Sequence, residues 1–329
     1  MAKYNSASPP GPRLRRSNGE NRPRIDAFIE YEPQEPSNPA DTIAPVQPAS
    51  NVAFDFIRSL AGELSGGHVD LPSFPEIALQ VRRILSDPDT KVEQIVRVVG
   101  SEPALAARLL RIANSAAINR SGRNVTDLRT AIARIGHNMV RSASMSFSMS
   151  QIRKSNKLAK LAPYLNDLWE RSTYVAAYAY VLARTCTRVN PDEAMLTGMM
   201  HGIGKLYILT RASEHQELFA SESVLNDIIN DWYPSIGKAI LENWKFSEAM
   251  ARAVGQEDFS RTELDAPDLT DVVGIAVLMV TYGTDVAGLD VTLQELPAAK
   301  RLGMNESRTL AVMQDSAAEV TALSQALAD

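Results

Sequence analysis

From Asn51 onward the apolar residues recur at every third or fourth position, and few segments alternate in the way a half-buried strand must. A chain patterned like this buries its apolar stripes by packing helix on helix. No βαβ rhythm, internal repeat, GxGxxG or P-loop signature interrupts the pattern. The expected fold class is all-α, a multi-helix bundle.

The helix boundaries follow from caps and breakers. Asn51 is placed to cap a helix carrying Phe56, Leu60 and Leu64, which Gly66-Gly67 ends. Leu71-Pro72-Ser73-Phe74-Pro75 reads as a stiff loop, with Pro75 opening a helix that buries Ile77, Val81, Ile84 and Leu85 and stops at Asp87-Pro88. Thr90 and Glu93 have the spacing of a capping box ahead of the stripe Val92, Ile95, Val96 and Val99. Leu105, Leu109, Ile112 and Ala113 form the next stripe. Thr126 opens another with Leu128, Ala131, Ile132 and Ile135, and Gly136 closes it. A long helix runs from Trp169 to Ala183. Asn190-Pro191-Asp192-Glu193 is a strong start, with an Asn cap, Pro at the first helical position and two acids for the helix dipole. Further helices are expected over 214–230, 234–243, 247–254 and 270–281, with a last one over about 305–327.

Residues 1–50 differ from all that follows. They hold nine of the chain's eighteen prolines, six basic and six acidic residues, and no periodic apolar pattern. Such a segment buries too little surface to offset its ordering entropy, so 1–50 is expected to be a disordered tail and 51–329 the helical domain. The tail's Arg13-Leu14-Arg15-Arg16 cluster is expected to stay solvated. The start, Met1 to Ser6, is polar and lacks the apolar core of a signal peptide. The longest apolar run, Val272 to Tyr282, is far shorter than the ~20 residues that cross a bilayer. A single cysteine, Cys186, excludes a disulfide framework and a Cys-rich zinc site, and suits a reducing compartment. The chain is expected to be soluble and cytoplasmic.

The formal charge of −5 hides an asymmetry. Between Glu102 and Lys160 stand eleven Arg or Lys and only two acids, a net of +9, which leaves −14 for the rest. Solvated helix faces explain such a stretch, and so does a patch for an acidic partner, a nucleotide or nucleic acid. Nucleic-acid readers usually add aromatic stacking residues. This stretch has only Phe147, so nucleic acid is disfavoured.

One ordered set of short motifs carries more than any single piece. Leu71-Pro72-Ser73-Phe74-Pro75 and Asp87-Pro88 lead to Glu102-Pro103-Ala104-Leu105, which continues through Arg108 and Arg111 to Asn114-Ser115. Ala131-Ile132-Ala133-Arg134-Ile135-Gly136, Leu168-Trp169-Glu170-Arg171-Ser172 and Gly198-Met199-Met200-His201-Gly202-Ile203-Gly204-Lys205-Leu206 follow. In this order the set resembles the HDOD domain, the HD-related output domain of bacterial signalling proteins, over about 70–255. Helices to the C terminus would complete the unit. Glu102 departs from the pattern, standing where the family more often has Asp.

The resemblance implies a position for a metal site. HD-superfamily phosphohydrolases use a first His, an adjacent His-Asp pair and a later Asp to hold divalent metals that activate water and clamp a phosphoryl oxygen. In this chain Arg171 lies where the first His would fall. His201 is present, but Gly202 replaces the bridging Asp. Downstream positions fall near Tyr233, Gly255-Gln256 and the apolar Ala276-Val277, with Asp271 more than a turn upstream. One imidazole beside a fixed guanidinium does not hold a catalytic metal. Neither a metal nor another cofactor is expected. A buried Arg171 would have to meet a carboxylate, backbone carbonyls or an anion.

Other residues read as structural. His68, His137 and His215 fall at loops or helix ends, and Cys186 is expected to be a small core residue. The serines between Ser142 and Ser150 lack a nucleophile elbow and suggest tight packing or an adaptable contact surface. Gly198 and Gly202 are expected to allow close helix approach. Arg171, His201 and Gly202 thus form a vestigial pocket, either filled or able to accept a nucleotide or another anion. Arg108, Arg111, Asn114 and Ser115 are candidates for an interaction surface. The expected function is a non-catalytic regulatory module contacting another signalling protein. The alternatives are a metal-dependent phosphohydrolase, for example of cyclic dinucleotides, and a nucleotide or nucleic-acid regulator using 102–160. No receiver, kinase or GGDEF-like segment is legible, so a signal is expected to enter through a partner or the tail.

Overall fold

The computed structural model describes residues 48–66, 76–85, 87, 90–115, 118–119, 122–153, 156–256, 266–283 and 285–328. Among them every regular element is helical and no strand occurs. The tail expected over 1–50 lies outside the described residues except at its end, as do His68 and the loop Leu71 to Pro75. The boundary moves: α1 runs Pro48–Ser65, so 48–50 belong to the helix and Asn51 sits within it rather than capping it.

α2 (Glu76–Leu85), α3 (Val92–Gly100) and α4 (Pro103–Asn114) turn the described stripe residues inward, with Ile84, Val92 and Val96 half-buried. Ile95, Val99, Leu105, Leu109 and Ile112 are at most 1% exposed. The Thr90–Glu93 capping box does not form. Thr90 donates its hydroxyl to the Ile84 carbonyl (2.5 Å), Glu93 pairs with Arg129 (2.6 Å), and Gln94 Oε1 accepts the Lys91 N–H (2.9 Å). Tertiary partners outcompeted a local pattern. Glu102 stands at the N-cap of α4 but makes no side-chain capping bond, which fits the preference for shorter side chains there.

α5 (Leu128–Arg153) is redirected at Gly136, whose φ of 77° and ψ of 167° no L-residue adopts readily. The expected stop is thus a sharp break, and Asp127 rather than Thr126 caps the first arm, accepting the Thr130 N–H (2.8 Å). In the second arm the serines from Ser142 to Ser150 are all buried. Ser144 and Ser148 return their hydroxyls to carbonyls four residues back (2.8 and 3.0 Å). They let neighbouring helices approach without leaving polar atoms unmet.

α6 (Ala162–Cys186) is the axis of the core. It packs on α7 (Pro191–Met200), α11 (Leu269–Tyr282) and α15 (Ala317–Ala328). Gly198 permits the first of these contacts, because a β-carbon there would lie 2.9 Å from the Ala176 backbone. Asn190 caps α7 as expected, accepting the N–H of Asp192 (2.9 Å). α8 (Ile203–Ala212) lies against α9 (Glu222–Asn243) with Gly204 pressed on the Tyr233 carbonyl. The helices expected over 214–230 and 234–243 join as one from residue 222, with Pro234 inside it, and Gln216–Ala220 form a separate 3₁₀ turn. α10 (Glu248–Val254) follows, then α12 (Val286–Glu295) and α13 (Pro297–Leu302), which the sequence reading did not anticipate. The last expected helix is two, α14 (Glu306–Asp315) and α15, broken at Ser316.

Three polar ties fasten this bundle. Glu63 on α1 accepts from Tyr207 and from Arg211 (2.6 Å) on α8. Arg184 grips Glu319 with two bonds of 2.5 Å, holding α15 to α6. Arg301 grips the fully buried Asp271 through Nε (2.8 Å) and an Nη (2.6 Å), joining α13 to α11.

Candidate functional site

The residues proposed for an HD-type centre converge where α6, α7, α8 and α11 meet. His201 follows α7 directly and is 6% exposed. Its Nδ1–H donates to the Gly198 carbonyl one turn back (2.7 Å). Burial chiefly pushes the imidazole down to about 3, and the charges of Lys205 and Arg171 push the same way. His201 is therefore neutral at any physiological pH.

Arg171, on α6, bonds to a side chain of another helix. It donates to the hydroxyl of Thr281 on α11 (3.0 Å), and that hydroxyl donates in turn to the Val277 carbonyl (2.9 Å). Sequence reasoning missed Thr281, because nothing local marks a hydroxyl 110 residues away as a guanidinium partner.

Gly202 decides what the pocket can be. A β-carbon on it would lie 2.6 Å from Leu168 Cδ1 and 3.5 Å from Ser172 Oγ. The space beside the bridging-acid position is occupied by an α6 leucine. Lys205, also missed, is 3% exposed and lies over the Tyr233 ring at 4.6 Å. A Lys inside the apolar run Ile203 to Leu209 was the available signal. Burial pushes the Tyr233 hydroxyl up, while a hydrogen bond with Gln256 works against that shift.

The donor set is thus one neutral imidazole, two cations and a phenol. Asp271 does not join it, being ten residues and so about 15 Å along α11 from Thr281, and held by Arg301. Among the described residues no three His, Cys, Asp or Glu side chains are grouped to hold a metal ion. These residues do not fit a divalent metal, which needs several anionic or neutral donors and no cations beside them.

The candidate surface on α4 separates into different roles. Arg108 is 1% exposed and cannot be part of a surface. It donates to Ser146 (3.0 Å) and faces the Phe147 ring at 5.6 Å. Asn114 clasps Val125 through both ends of its amide (2.8 and 2.7 Å), and Ser115 donates to Ile112 (2.8 Å). Arg111 alone is exposed. Other arginines of the basic stretch also turn inward: Arg134 donates to the Ala113 and Arg123 carbonyls (3.2 and 2.9 Å) and Arg141 to Leu85 (2.6 Å).

Comparison with known proteins places this arrangement. Residues 71–258 match the family model described as HDOD domain. An uncharacterized protein of Treponema pallidum (strain Nichols) is 23% identical over 205 residues, 59% of this chain and 39% of the relative, so the match spans well under half of that protein. A crystal structure from Shewanella amazonensis SB2B, provisionally described as a metal-dependent phosphohydrolase, superposes with a TM-score of 0.63 at 25% identity, covering 82% of this chain and 99% of that one. An HDOD domain protein of unknown function from Geobacter sulfurreducens gives a TM-score of 0.56 at 18% identity, covering 82% and 97%. A provisional signal transduction protein from Marinobacter aquaeolei VT8 gives 0.55 at 17%, covering 87% and 67%. The last two share the fold. No described helix is long and apolar enough to cross a membrane.

Proposed function

Since the chain belongs to the HDOD domain family, we propose that it is a regulatory module that no longer turns over a phosphate ester and acts by contacting another signalling protein. The observation that carries this reading is the 2.6 Å between Leu168 Cδ1 and the β-carbon position of Gly202. Gly202 supplies no side chain to bridge two metals, and the end of the Leu168 side chain occupies the space beside it. Arg171 and Lys205 supply positive charge where a cation would sit, and both push His201 toward neutrality. A filled pocket leaves the exterior of the helices to make contacts, which is how a module without chemistry transmits a state. The described neighbour's phosphohydrolase name supports a second reading, metal-dependent hydrolysis, which would need ligands beyond His201. Nucleic-acid binding through 102–160 loses support because Arg108, Arg134 and Arg141 bond within the fold.

The test is elemental analysis of the full chain purified without chelator, combined with an assay on bis(4-nitrophenyl) phosphate and cyclic dinucleotides in added manganese and iron. The expected outcome is no stoichiometric metal and no turnover. A reproducible metal ion per chain together with hydrolysis overturns the reading. Crosslinking and capture with the full chain then asks for a signalling protein bound at the exterior.

A further inference from the structure

A second concavity lies at the opposite end of α7 from His201, about 12 Å away by the rise from Glu193 to His201. It is a cleft of about 350 Å³ between the end of α2, the second arm of α5, the start of α7 and the turn from α9 to α10. Half of its lining is polar, Asn138, Arg141, Lys245, Glu193 and Ser247, while Trp244, Phe246 and Met250 belong to the apolar half, which presents the smaller surface. A lining that sets two cations beside a small apolar surface suits a ligand with a charged head and a small apolar part.

Two features of the cleft are not explained by folding. Arg141 donates to the Leu85 carbonyl (2.6 Å), but its buried Nε–H finds no acceptor. Glu193 acts on it only from a distance, its Oε1 accepting the Ser247 hydroxyl (3.0 Å). A half-buried guanidinium is thus left short of acceptors.

Lys245 is the second feature. Its N–H bonds to the Glu242 carbonyl (2.9 Å) and the Phe246 N–H to the Leu241 carbonyl (3.0 Å), the two bonds of a Schellman close to α9. The residue between them must be left-handed, and glycine normally fills it. Lys245 does so at a φ of 57°. A side chain kept where its absence would relax the backbone points to a use for that side chain.

We propose that this cleft binds a small organic anion, whose phosphate or carboxylate group meets Arg141 and Lys245 and whose apolar ring lies along Trp244, Phe246 and Met250. An inorganic ion alone would leave the apolar part of the lining uncovered. Glu193 repels a second negative charge and accepts a hydroxyl or amino group, so the ligand carries its charge at one end. The site is independent of whether the HD-like position is catalytic, and it gives a regulatory module a place to sense a metabolite.

The experiment titrates the full chain by calorimetry with phenyl phosphate and benzoate, with inorganic phosphate as head group alone and benzyl alcohol as ring alone. Which of the two aryl anions binds more tightly tells a phosphate head from a carboxylate one. Removing one of two cations should weaken the better aryl anion about tenfold in Lys245→Gly. The same substitution relaxes the left-handed residue, so its Tm should rise by about 1–2 °C without ligand. Arg141→Met should also lose binding, but it breaks the bond to Leu85, which makes Lys245→Gly the deciding variant. Absence of saturable binding of either aryl anion to the parent up to about 10 mM overturns the proposal, as does equal affinity in Lys245→Gly.

Discussion

Leu168 occupies the room that a side chain at residue 202 would need, its Cδ1 standing 2.6 Å from the β-carbon position of Gly202. The two residues are coupled through volume alone, so they can be separated by substitution. Gly202→Ala is expected to destabilise the protein by about 1–3 kcal/mol through overpacking. Leu168→Ala is expected to cost about 2–5 kcal/mol through a cavity. In the double variant the new methyl partly fills that cavity, so the combined loss falls short of the sum by at least about 0.5 kcal/mol. Urea unfolding of the four proteins measures this, and strict additivity would mean that Leu168 does not fill the position.

The neutral His201 makes stability depend on pH. Its folded-state value of about 3 lies below the ordinary 6.5, so the unfolded chain takes up the proton first as the solution is acidified. Stability is full above the unfolded value and falls as pH drops toward the folded one. Between pH 7 and 5 the parent should lose about 2 kcal/mol more than His201→Asn, which has no proton to take up. Matched denaturation curves at the two pH values give the difference. Equal losses would place His201 in water.

Arg301 and Asp271 form the most buried ion pair among the described residues, 6% and 0% exposed. Asp271 also accepts the Asp268 N–H (3.1 Å), closing the first turn of α11. Arg301→Met leaves a carboxylate buried without its cation and is expected to cost about 3–5 kcal/mol, while adding Asp271→Asn should recover part of that loss. A double-variant melt that is no better than Arg301→Met would show that the pair matters only through packing.

Much of this architecture could be read from particular residues. The Asn190-Pro191 start, the stripe on α4 and the break at Gly136 depend on backbone chemistry within one turn, and sequence reports such chemistry well. Pro234 was misread for a physical reason. A proline removes an N–H and strains the helix before it, yet Tyr233, Ile236 and Gly237 are buried on one side and carry α9 through. Ser316 was missed in the opposite sense, since the apolar spacing of Leu310 to Leu323 does not record a break of one residue. Thr90 and Glu93 show the limit of such signals, because Thr90 turns back to Ile84 and Glu93 pairs with the remote Arg129 instead of closing the expected box.

The HD-like position divided in the same way. The motif resemblance singled out Arg171, His201 and Gly202, but not their partners. Thr281 reaches Arg171 across 110 residues, and Leu168 fills Gly202's space only because Gly198 brings α6 and α7 backbone to backbone. The cleft at Lys245 left no sequence signal, since the left-handed residue that closes α9 is not a glycine. Arg108 was misplaced because an arginine on an amphipathic helix usually solvates its head, and this one has Ser146 and Phe147 to receive it inside.

The bond between Ser146 and Leu327 bears on how the molecule is made. Ser146 accepts Arg108 and donates to the Leu327 carbonyl (2.6 Å) across 181 residues of chain. On the ribosome, the nascent helices α4 and α5 present a guanidinium and a hydroxyl to each other long before that carbonyl exists. α4 and α5 pack on each other, and α15, with Val320, Leu323 and Leu327 buried, adds a cover from far along the chain. Closure of this part of the core is a long-range step, of the kind whose loop-closure entropy slows folding.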